Sequence, residues 1–240
     1  RKYIFTDNIK MLIFDEADEI LSRGFMETIY QIIRFLPPNA QILLFSATIP
    51  PEILSLTEKF MTNPEQILVN KEELTLEGIS QFYINCNIYK WKYDVLYELY
   101  DSISINQCII YINTKSTLIN LAERLQEENY PISYIHGELT SELRKKNLED
   151  FKNGQTRILL STDLLSRGID IQQLSLVINF DLPKNKETYI HRIGRSGRYG
   201  RKGIAINFIC NNEMDELDEL KKHYNTKIEE MPENISDYIN

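Results

Sequence analysis

Apolar and polar residues along the chain form short apolar runs that alternate with segments of helical period. The runs most typical of buried strands are residues 10–14, 41–46, 66–69, 107–113, 132–136, 156–161, 174–180 and 203–209. The helix-like segments are 25–36, 51–60, 91–100, 116–128, 141–152 and 213–224. In segment 116–128, Leu118, Leu121 and Leu125 recur at three- and four-residue spacing, which is the pattern of one buried helix face.

This alternation predicts an α/β fold. Continuous apolar strands separated by helices indicate parallel sheets covered by helices on both faces. Ligands of such sheets bind at the carboxyl ends of the strands, so the residues directly after each strand are the first functional candidates. The polar stretch 71–80, with one glycine, predicts a linker between two domains; a surface loop inside one domain is the alternative.

Composition excludes several classes of protein. The 240 residues are 42% hydrophobic and 26% charged, which is ordinary for a globular protein and excludes disordered and fibrous classes. No apolar run approaches the ~20 residues that a membrane span needs. Cys86, Cys108 and Cys210 lie far apart with no CxxC pair. This spacing is neither a zinc site nor a disulfide framework, and it favours a reducing compartment, the cytoplasm or the nucleus.

The net charge of −8 argues at first against a nucleic-acid-binding protein. By segment, however, residues 1–70 carry −3, residues 71–210 carry +1 and residues 211–240 carry −6. Residues 184–202 hold seven basic side chains and one acidic side chain. Because salt limits electrostatic fields to about 8–10 Å, such a local basic segment can attract phosphates on an acidic protein.

The first candidate site follows the strand at 10–14. Asp15, Glu16 and Asp18 come directly after it, and buried carboxylates are costly unless they hold a cation or face solvent. An Asp in this place can serve Mg²⁺ and a Glu can orient a hydrolytic water, as in nucleoside triphosphatases; the alternative is an acidic helix start. Ser46 and Thr48 follow the next strand, with an ordinary helix N-cap as the alternative.

The second candidate site is the segment 191–198. It contains Arg192, Arg195 and Arg198 separated by two glycines, with no acidic residue among them. Arginines offer forked donors that suit phosphate oxygens, and glycines let a backbone approach a bulky ligand. A similar polar group, Ser161-Thr162-Asp163, ends another strand and precedes Arg167-Gly168-Ile169-Asp170. These patterns indicate contact with the phosphates of a nucleotide or a nucleic acid.

The chain contains, in this order, Asp15-Glu16-Ala17-Asp18, Ser46-Ala47-Thr48, Ser161-Thr162-Asp163 with Arg167-Gly168-Ile169-Asp170, and His191 to Arg198. In order and spacing, these segments resemble the motifs of DEAD-box ATP-dependent RNA helicases of superfamily two. The stretches NKEELTLEGIS, DLLSRGIDIQQ and YNTKIEEMP resemble the translation initiation factor 4A subfamily, and HRIGRSGRYGRKG resembles its exon-junction paralogue equally. The resemblance implies an RNA-dependent ATPase that couples ATP binding and hydrolysis to RNA binding and local duplex unwinding, in translation initiation. It also implies a cytoplasmic monomer with scaffold or initiation-factor partners, nuclear if of exon-junction type.

The resemblance also implies residue roles. Asp15 would hold the Mg²⁺ of ATP through water, Glu16 would activate the hydrolytic water, and Arg195 and Arg198 would reach the γ-phosphate. The residues linking the two domains would be Asp18, Ser46, Thr48, His191 and Arg192. The nucleotide-binding residues would be Gly168 and Asp170. The residues contacting single-stranded RNA through phosphate and sugar would be Asn113, Thr114, Gly137, Arg144, Thr162, Asp163 and Arg167.

One family feature is missing, because the 240 residues contain no GxxxxGK[ST] phosphate loop. We therefore expect residues 1–70 to be the C-terminal half of a first RecA-like domain, 71–80 a linker and 81–240 a complete second RecA-like domain. Since that loop cradles the triphosphate, we expect the chain alone to hydrolyse little or no ATP. Two alternatives remain: an RNA clamp or adaptor of exon-junction type that acts through partner proteins, and a DNA helicase of the same superfamily.

Overall fold

Two α/β units, Arg1–Leu68 and Val69–Asn240, make up the chain. The structure is a computed structural model that describes residues 5–22, 24–46, 48, 51–68, 78–102, 107–163, 174–196 and 203–232. Each unit contains a parallel sheet flanked by helices, and the predicted fold class is confirmed.

The first unit has a two-stranded sheet. Strands β1 (Met11–Phe14) and β2 (Gln41–Leu44) pair in parallel, with Phe14 opposite Leu44. The helices of this unit are α1 (Ala17–Ser22), α2 (Met26–Arg34) and α3 (Pro51–Phe60). Its buried core consists of Phe14, Ala17, Ile29 and Ile53. One residue each from β1, α1, α2 and α3 therefore forms a small core.

The second unit has a seven-stranded sheet in which all the pairs are parallel, in the order β5-β6-β4-β7-β8-β3-β9. Its strands are β3 (Ile79–Asn85), β4 (Cys108–Tyr111), β5 (Ile132–Ile135), β6 (Ile158–Ser161), β7 (Leu176–Asn179), β8 (Gly203–Ile209) and β9 (Glu229–Glu230). Its helices are α4 (Trp91–Ser102), α5 (Lys115–Glu127), α6 (Ser141–Lys152), α7 (Lys186–Ile193) and α8 (Met214–His223). Among the described helices, none combines the length and apolar character needed to cross a membrane.

The second sheet is covered on both faces, and the central strands show it. Strands β4, β6, β7 and β8 are buried along their whole length. Successive residues of a strand point to opposite faces: Ile110 packs with the core of α4 and α5, whereas Ile109 and Tyr111 pack with Phe151 of α6. A further buried cluster packs against α7 and α8 and covers the rest of the sheet face on which Ile109 and Tyr111 lie. The predicted continuous apolar strands are thus explained by burial on both sides.

Most predicted helices agree with the structure, and two match it residue for residue, 51–60 (α3) and 141–152 (α6). The start of α6 is set by Thr140, whose hydroxyl accepts a hydrogen bond from the Leu143 N–H at 3.3 Å; such caps stabilise the first turn. The strand predicted at 66–69 is wrong, since residues 66–68 form no strand and Ile67 is 94% exposed. In the described part of the first unit only β1 and β2 pair, so this apolar segment has no neighbouring strand.

Four described elements are absent from the segments predicted above: α1, β3, α7 and β9. Strand β3 begins at Ile79, within the stretch expected to be a linker, and the linker residues 71–77 lie outside the described part of the chain. Helix α7 was missed because His191 and Arg192 occupy buried positions and so interrupt the apolar stripe that identifies a helix.

Helix α5 offers a direct test of the core of the second unit. Leu121 is wholly buried there, and we expect Leu121→Ala to lower the free energy of unfolding by about 2–5 kcal/mol through the cavity it leaves. The measurement is denaturant unfolding followed by the fluorescence of Trp91, the one tryptophan of the chain. Asn120→Ala, at an exposed position of the same helix, is the control, with a change within about 0.5 kcal/mol. Equal losses in the two variants would contradict the packing described.

Candidate nucleotide and RNA sites

The turn after β1 carries the predicted catalytic carboxylates. Asp15 is exposed, and its Oδ1 accepts a hydrogen bond from the Glu16 N–H at 2.9 Å. Glu16 has a backbone φ of 52°, in the left-handed region that costs a residue with a side chain roughly 1–3 kcal/mol. Strain of this kind concentrates at functional sites. The turn therefore holds the Glu16 side chain in a direction that an ordinary helix start would not give.

Asp18 joins the ends of the two strands of the first unit. Its carboxylate is buried, and its Oδ2 accepts a hydrogen bond from Thr48 Oγ1 at 2.7 Å. Its backbone N–H donates to Ser46 Oγ at 3.2 Å. The structure thus brings together three of the five residues expected to link the domains, all at the carboxyl edge of β1 and β2.

The donor set of this edge fits a magnesium ion carried by a nucleotide. No group of three or more metal-ligating side chains occurs among the described residues, so the protein offers no closed metal cage there. Mg²⁺ commonly keeps several waters and is bound through one or two carboxylates and substrate phosphates. The exposed Asp15 carboxylate supplies a donor of this kind.

In the second unit, the guanidinium of Arg192 is the centre of the carboxyl edge. The side chain is fully buried. Its Nε donates to Asp163 Oδ1 at 2.5 Å, its Nη2 to Asn113 Oδ1 at 2.7 Å, and its Nη1 to the Asp181 carbonyl oxygen at 2.7 Å and to Asn179 Oδ1 at 3.3 Å. A planar fork of donors meets acceptors from the ends of β4, β6 and β7. Arg192 therefore holds three strand ends to helix α7.

Asn113 is half-buried, and its hydrogen bonds within the chain fix its orientation. Its side-chain oxygen accepts from Arg192, its Nδ2 donates to the Leu182 carbonyl oxygen at 2.7 Å, and its backbone N–H donates to Asp181 Oδ2 at 2.9 Å. The following residue, Thr114, is exposed and caps α5 by accepting a hydrogen bond from the Thr117 N–H at 3.2 Å. Asn113 thus anchors the turn on which Thr114 is displayed.

The Arg192 guanidinium is also one end of a series of hydrogen bonds across the sheet. Asn179 Nδ2 donates to Asn207 Oδ1 at 2.8 Å, and Asn207 Nδ2 contacts Tyr189 Oη at 3.2 Å. The Tyr189 hydroxyl donates to Gln81 Oε1 at 2.8 Å, and Gln81 Nε2 donates to Thr226 Oγ1 at 2.9 Å. The series runs from Arg192 through Asn179, Asn207, Tyr189 and Gln81 to Thr226. It satisfies buried polar groups that would otherwise destabilise the fold.

The exposed rim of this edge contains the remaining RNA candidates that the structure describes. A Cβ added at Gly137 would meet no protein atom within 4 Å, so packing within the chain does not require glycine there. Arg144 Nη2 donates to the carbonyl oxygens of Gly137 and Leu139 at 3.2 and 3.4 Å. Thr162 follows β6 and is half-buried. The rim therefore combines a cation, hydroxyls and an open backbone, as phosphate binding requires.

The protonation of the neighbouring His136 follows from its surroundings. Burial lowers its pKa, and the positive charge of Lys115 lowers it further. Its Nδ1 accepts a hydrogen bond from the Glu138 N–H at 3.3 Å. Lys115 also pairs with the Glu138 carboxylate and lowers its pKa. At neutral pH the rim thus carries a neutral imidazole beside an ion pair.

The segment 191–198 is only partly described. His191 and Arg195 are buried, on α7 and just after it. A Cβ at Gly194 would lie 2.9 Å from the Ile190 carbonyl oxygen, so only glycine fits where α7 ends. The predicted site residues that lie outside the described residues are Arg167, Gly168, Asp170 and Arg198.

The structure adds polar residues that sequence reasoning did not select. Asp181 follows β7, so the rule that pointed to the other strand ends could have found it. Lys92 is fully buried at the start of α4, with its Nζ 3.1 Å from Glu213 Oε2 and 3.8 Å from Asp181 Oδ1. No sequence signal marks Lys92, because a lysine in a helical segment is normally solvated.

Two family models match the chain. The model described as a DEAD/DEAH box helicase matches residues 1–56, and the model described as a helicase conserved C-terminal domain matches residues 91–200. The ATP-dependent RNA helicase eIF4A of Kluyveromyces lactis is 55% identical over 237 residues, which are 99% of this chain and 60% of that protein. The chain therefore spans about three fifths of the length of the curated relatives that it matches.

Solved structures of similar sequence also match the fold of this chain. Saccharomyces cerevisiae Dbp5 bound to RNA and ADP-BeF3 is 35% identical with a TM-score of 0.89, covering 99% of this chain and 63% of that one. The C-terminal domain of the DEAD-box protein Dbp5 is 37% identical with a TM-score of 0.62, covering 69% of this chain and 96% of that one. With its two parallel sheets and with polar residues at their carboxyl ends, the chain belongs to the DEAD-box family of helicases.

Proposed function

We propose that the protein containing this chain is an ATP-dependent RNA helicase of translation initiation that couples ATP binding and hydrolysis to RNA binding and local duplex unwinding. The observation that carries the proposal is the 55% identity to eIF4A over nearly the whole chain. The proposed parts of the protein are residues 1–70 as the C-terminal half of a first RecA-like domain, 71–80 as a linker and 81–240 as a second RecA-like domain. Its proposed state is a cytoplasmic monomer that works with other initiation factors.

The proposed RNA contacts lie on the rim of the second unit. The proposed contacts are Thr114, the Gly137 backbone, Arg144 and Thr162, at the carboxyl edge of the sheet. Groups of these kinds suit phosphate and sugar rather than base edges. Asp163 and Asn113 hold this edge through Arg192. Arg167 belongs to the same proposed set. Because the proposed contacts are to the RNA backbone, we expect low sequence specificity, as is usual when a protein contacts single strands in this way.

The proposed nucleotide contacts are divided between the units. Asp15 would hold Mg²⁺ through water, and Glu16 would accept the proton of the hydrolytic water. Bound with ATP, the metal supplies positive charge that neutralises the phosphate oxygens. Arg195 and Arg198 would stabilise the charge of the transferring phosphoryl group, with Gly168 and Asp170 contacting the nucleotide. Asp18 with Ser46 and Thr48, and His191 with Arg192, form the proposed coupling residues of the two units.

The missing phosphate loop leads to a prediction about activity. We expect the purified 240-residue chain to release no phosphate from ATP above background, with or without RNA, because no Walker-type lysine and backbone cradle hold the triphosphate. A chimera in which the N-terminal part of the Kluyveromyces lactis relative precedes residue 1 should hydrolyse ATP in an RNA-dependent way. Glu16→Gln in the chimera should lower turnover by about 100-fold or more. Rapid hydrolysis by the chain alone would contradict the expectation, and so would an active Glu16→Gln chimera.

Gly137 gives a test of the RNA surface that leaves the fold intact. Since a Cβ there meets no protein atom, Gly137→Ala should leave stability unchanged or raise it by up to about 1 kcal/mol. If an RNA backbone lies against Gly137, the same methyl group should weaken binding of a fluorescein-labelled oligouridylate about fivefold, near 1 kcal/mol. The measurement is fluorescence anisotropy at low salt, where phosphate contacts are strongest.

The matched control is Gly154→Ala. Gly154 has a φ of +73° and precedes β6, at the opposite edge of the sheet. This substitution should lower the free energy of unfolding by about 1 kcal/mol, because of its left-handed backbone, and should leave RNA affinity unchanged. Equal RNA affinities of the parent and Gly137→Ala would show that RNA does not approach this residue.

A further inference from the structure

A group of three charged side chains, two of them buried, contacts the turn between β4 and α5. It consists of Lys92, Asp181 and Glu213, and none of them belongs to the proposed RNA or nucleotide contacts. The Lys92 ammonium is wholly buried, 3.1 Å from Glu213 Oε2 and 3.8 Å from Asp181 Oδ1. Tyr89 covers the same ammonium, with 4.9 Å between Nζ and the ring centroid. An ammonium withdrawn from water in this way depends on its anionic partners and on the aromatic ring.

Asp181 carries the effect of this charge to the turn. Its Oδ1 faces Lys92, and its Oδ2 accepts the hydrogen bond from the Asn113 N–H. Asn113 is held on its other side by Arg192 and by the Leu182 carbonyl oxygen. The next residue is Thr114, the exposed cap of α5. A shift of the Asp181 carboxylate would therefore move the residue from which the first turn of α5 starts.

The second carboxylate of the group is fixed independently. Glu213 Oε2 accepts a hydrogen bond from the Cys210 N–H at 2.7 Å, a contact that does not depend on the lysine charge. Without the ammonium, the Asp181 side chain, 9% exposed, would be a carboxylate near a second carboxylate in a poorly hydrated place. Such a charge is costly, and the structure would respond by admitting water or displacing Asp181.

We infer that Lys92 is a positioning residue for RNA binding, which acts by holding Asp181 and, through it, the turn at Asn113 and Thr114. The inference rests on the proposed function, because it assumes that RNA phosphates are bound at that turn. Lys92 itself does not touch RNA, since it is fully buried. Its ammonium neutralises the Asp181 carboxylate, whose Oδ2 orients the turn.

The experiment measures oligouridylate binding at low salt by the unsubstituted 240-residue chain and by the same chain with Lys92→Met. Methionine keeps most of the unbranched stem and removes the charge. We expect about tenfold weaker binding, because the turn at Asn113 and Thr114 loses the fixed carboxylate that orients it. The control is Lys221→Met on α8, where Lys221 Nζ lies 3.0 Å from Asp218 Oδ1; we expect a change below about twofold. This control removes the same charge and shows the general effect of one lysine on RNA attraction.

A second substitution separates positioning from packing. Asp181→Asn retains an oxygen that can accept from the Asn113 N–H and removes the charge that Lys92 neutralises. We expect Lys92→Met with Asp181→Asn to recover binding to within about threefold of the parent chain, since the carboxamide needs no cation. A merely structural role of the lysine stem would not be rescued in this way. Should Lys92→Met fail to fold, recovery of both folding and RNA binding in the double variant is the supporting result.

The outcomes distinguish the inference from the function on which it rests. If the parent chain does not bind oligouridylate, the RNA surface proposed above is wrong and the inference falls with it. If the parent binds and folded Lys92→Met binds equally well, the RNA surface stands and the role of Lys92 is refuted. The role is also refuted if the double variant folds but binds as weakly as Lys92→Met.

Discussion

The burial of one guanidinium is the constraint on which the second unit depends. Taking a cation out of water costs several kcal/mol, and only a complete set of partners offsets this. Arg192 obtains such a set from Asp163, Asn113, Asn179 and the Asp181 carbonyl oxygen. Because these acceptors lie at the ends of separate strands, they can meet one side chain only if the strands end at the same level. The strands must therefore end at a common level for the buried Arg192 guanidinium to keep all of its hydrogen-bond acceptors.

This requirement explains why one residue of a turn is held by hydrogen bonds within the chain while a nearby residue of the same turn is exposed. Asn113 is half-buried and hydrogen-bonded within the chain, whereas the adjoining Thr114 is exposed. The first unit follows the same plan, since Asp18 is tied to Ser46 and Thr48 while Asp15 remains exposed. An anchored residue adjoining an exposed one gives a short turn a defined shape without a long rigid loop.

The sequence predicts the elements whose apolar pattern is uninterrupted. Segments 51–60 and 141–152 are found as α3 and α6, and the fully buried strands β4, β6, β7 and β8 lie in apolar runs. Two of the missed elements contain buried polar side chains: α7 contains His191 and Arg192, and β3 contains Gln81. The segment 66–69 failed for the opposite reason, because an apolar run forms a strand only beside a partner.

Candidate site residues could be selected from the sequence wherever they directly follow a strand, as Asp15 and Thr162 do. Lys92 and Asn207 could not be selected, since each is defined by a partner distant in sequence. Periodicity reports which side of an element is buried, but it does not report that a buried lysine meets two carboxylates from other elements. Only the assembled sheet brings such residues within reach of each other.

The hydrogen bonds that extend from Arg192 to Thr226 all point the same way. At each step the nitrogen or hydroxyl donor faces away from the guanidinium, and the acceptor faces toward it. Aligned dipoles of this kind polarise one another and strengthen each bond. Amide and hydroxyl groups of the protein thereby stabilise the buried cation in place of oriented water molecules. Turning over any one amide would place two donors face to face, so the arginine charge sets the direction of side chains as far away as Thr226.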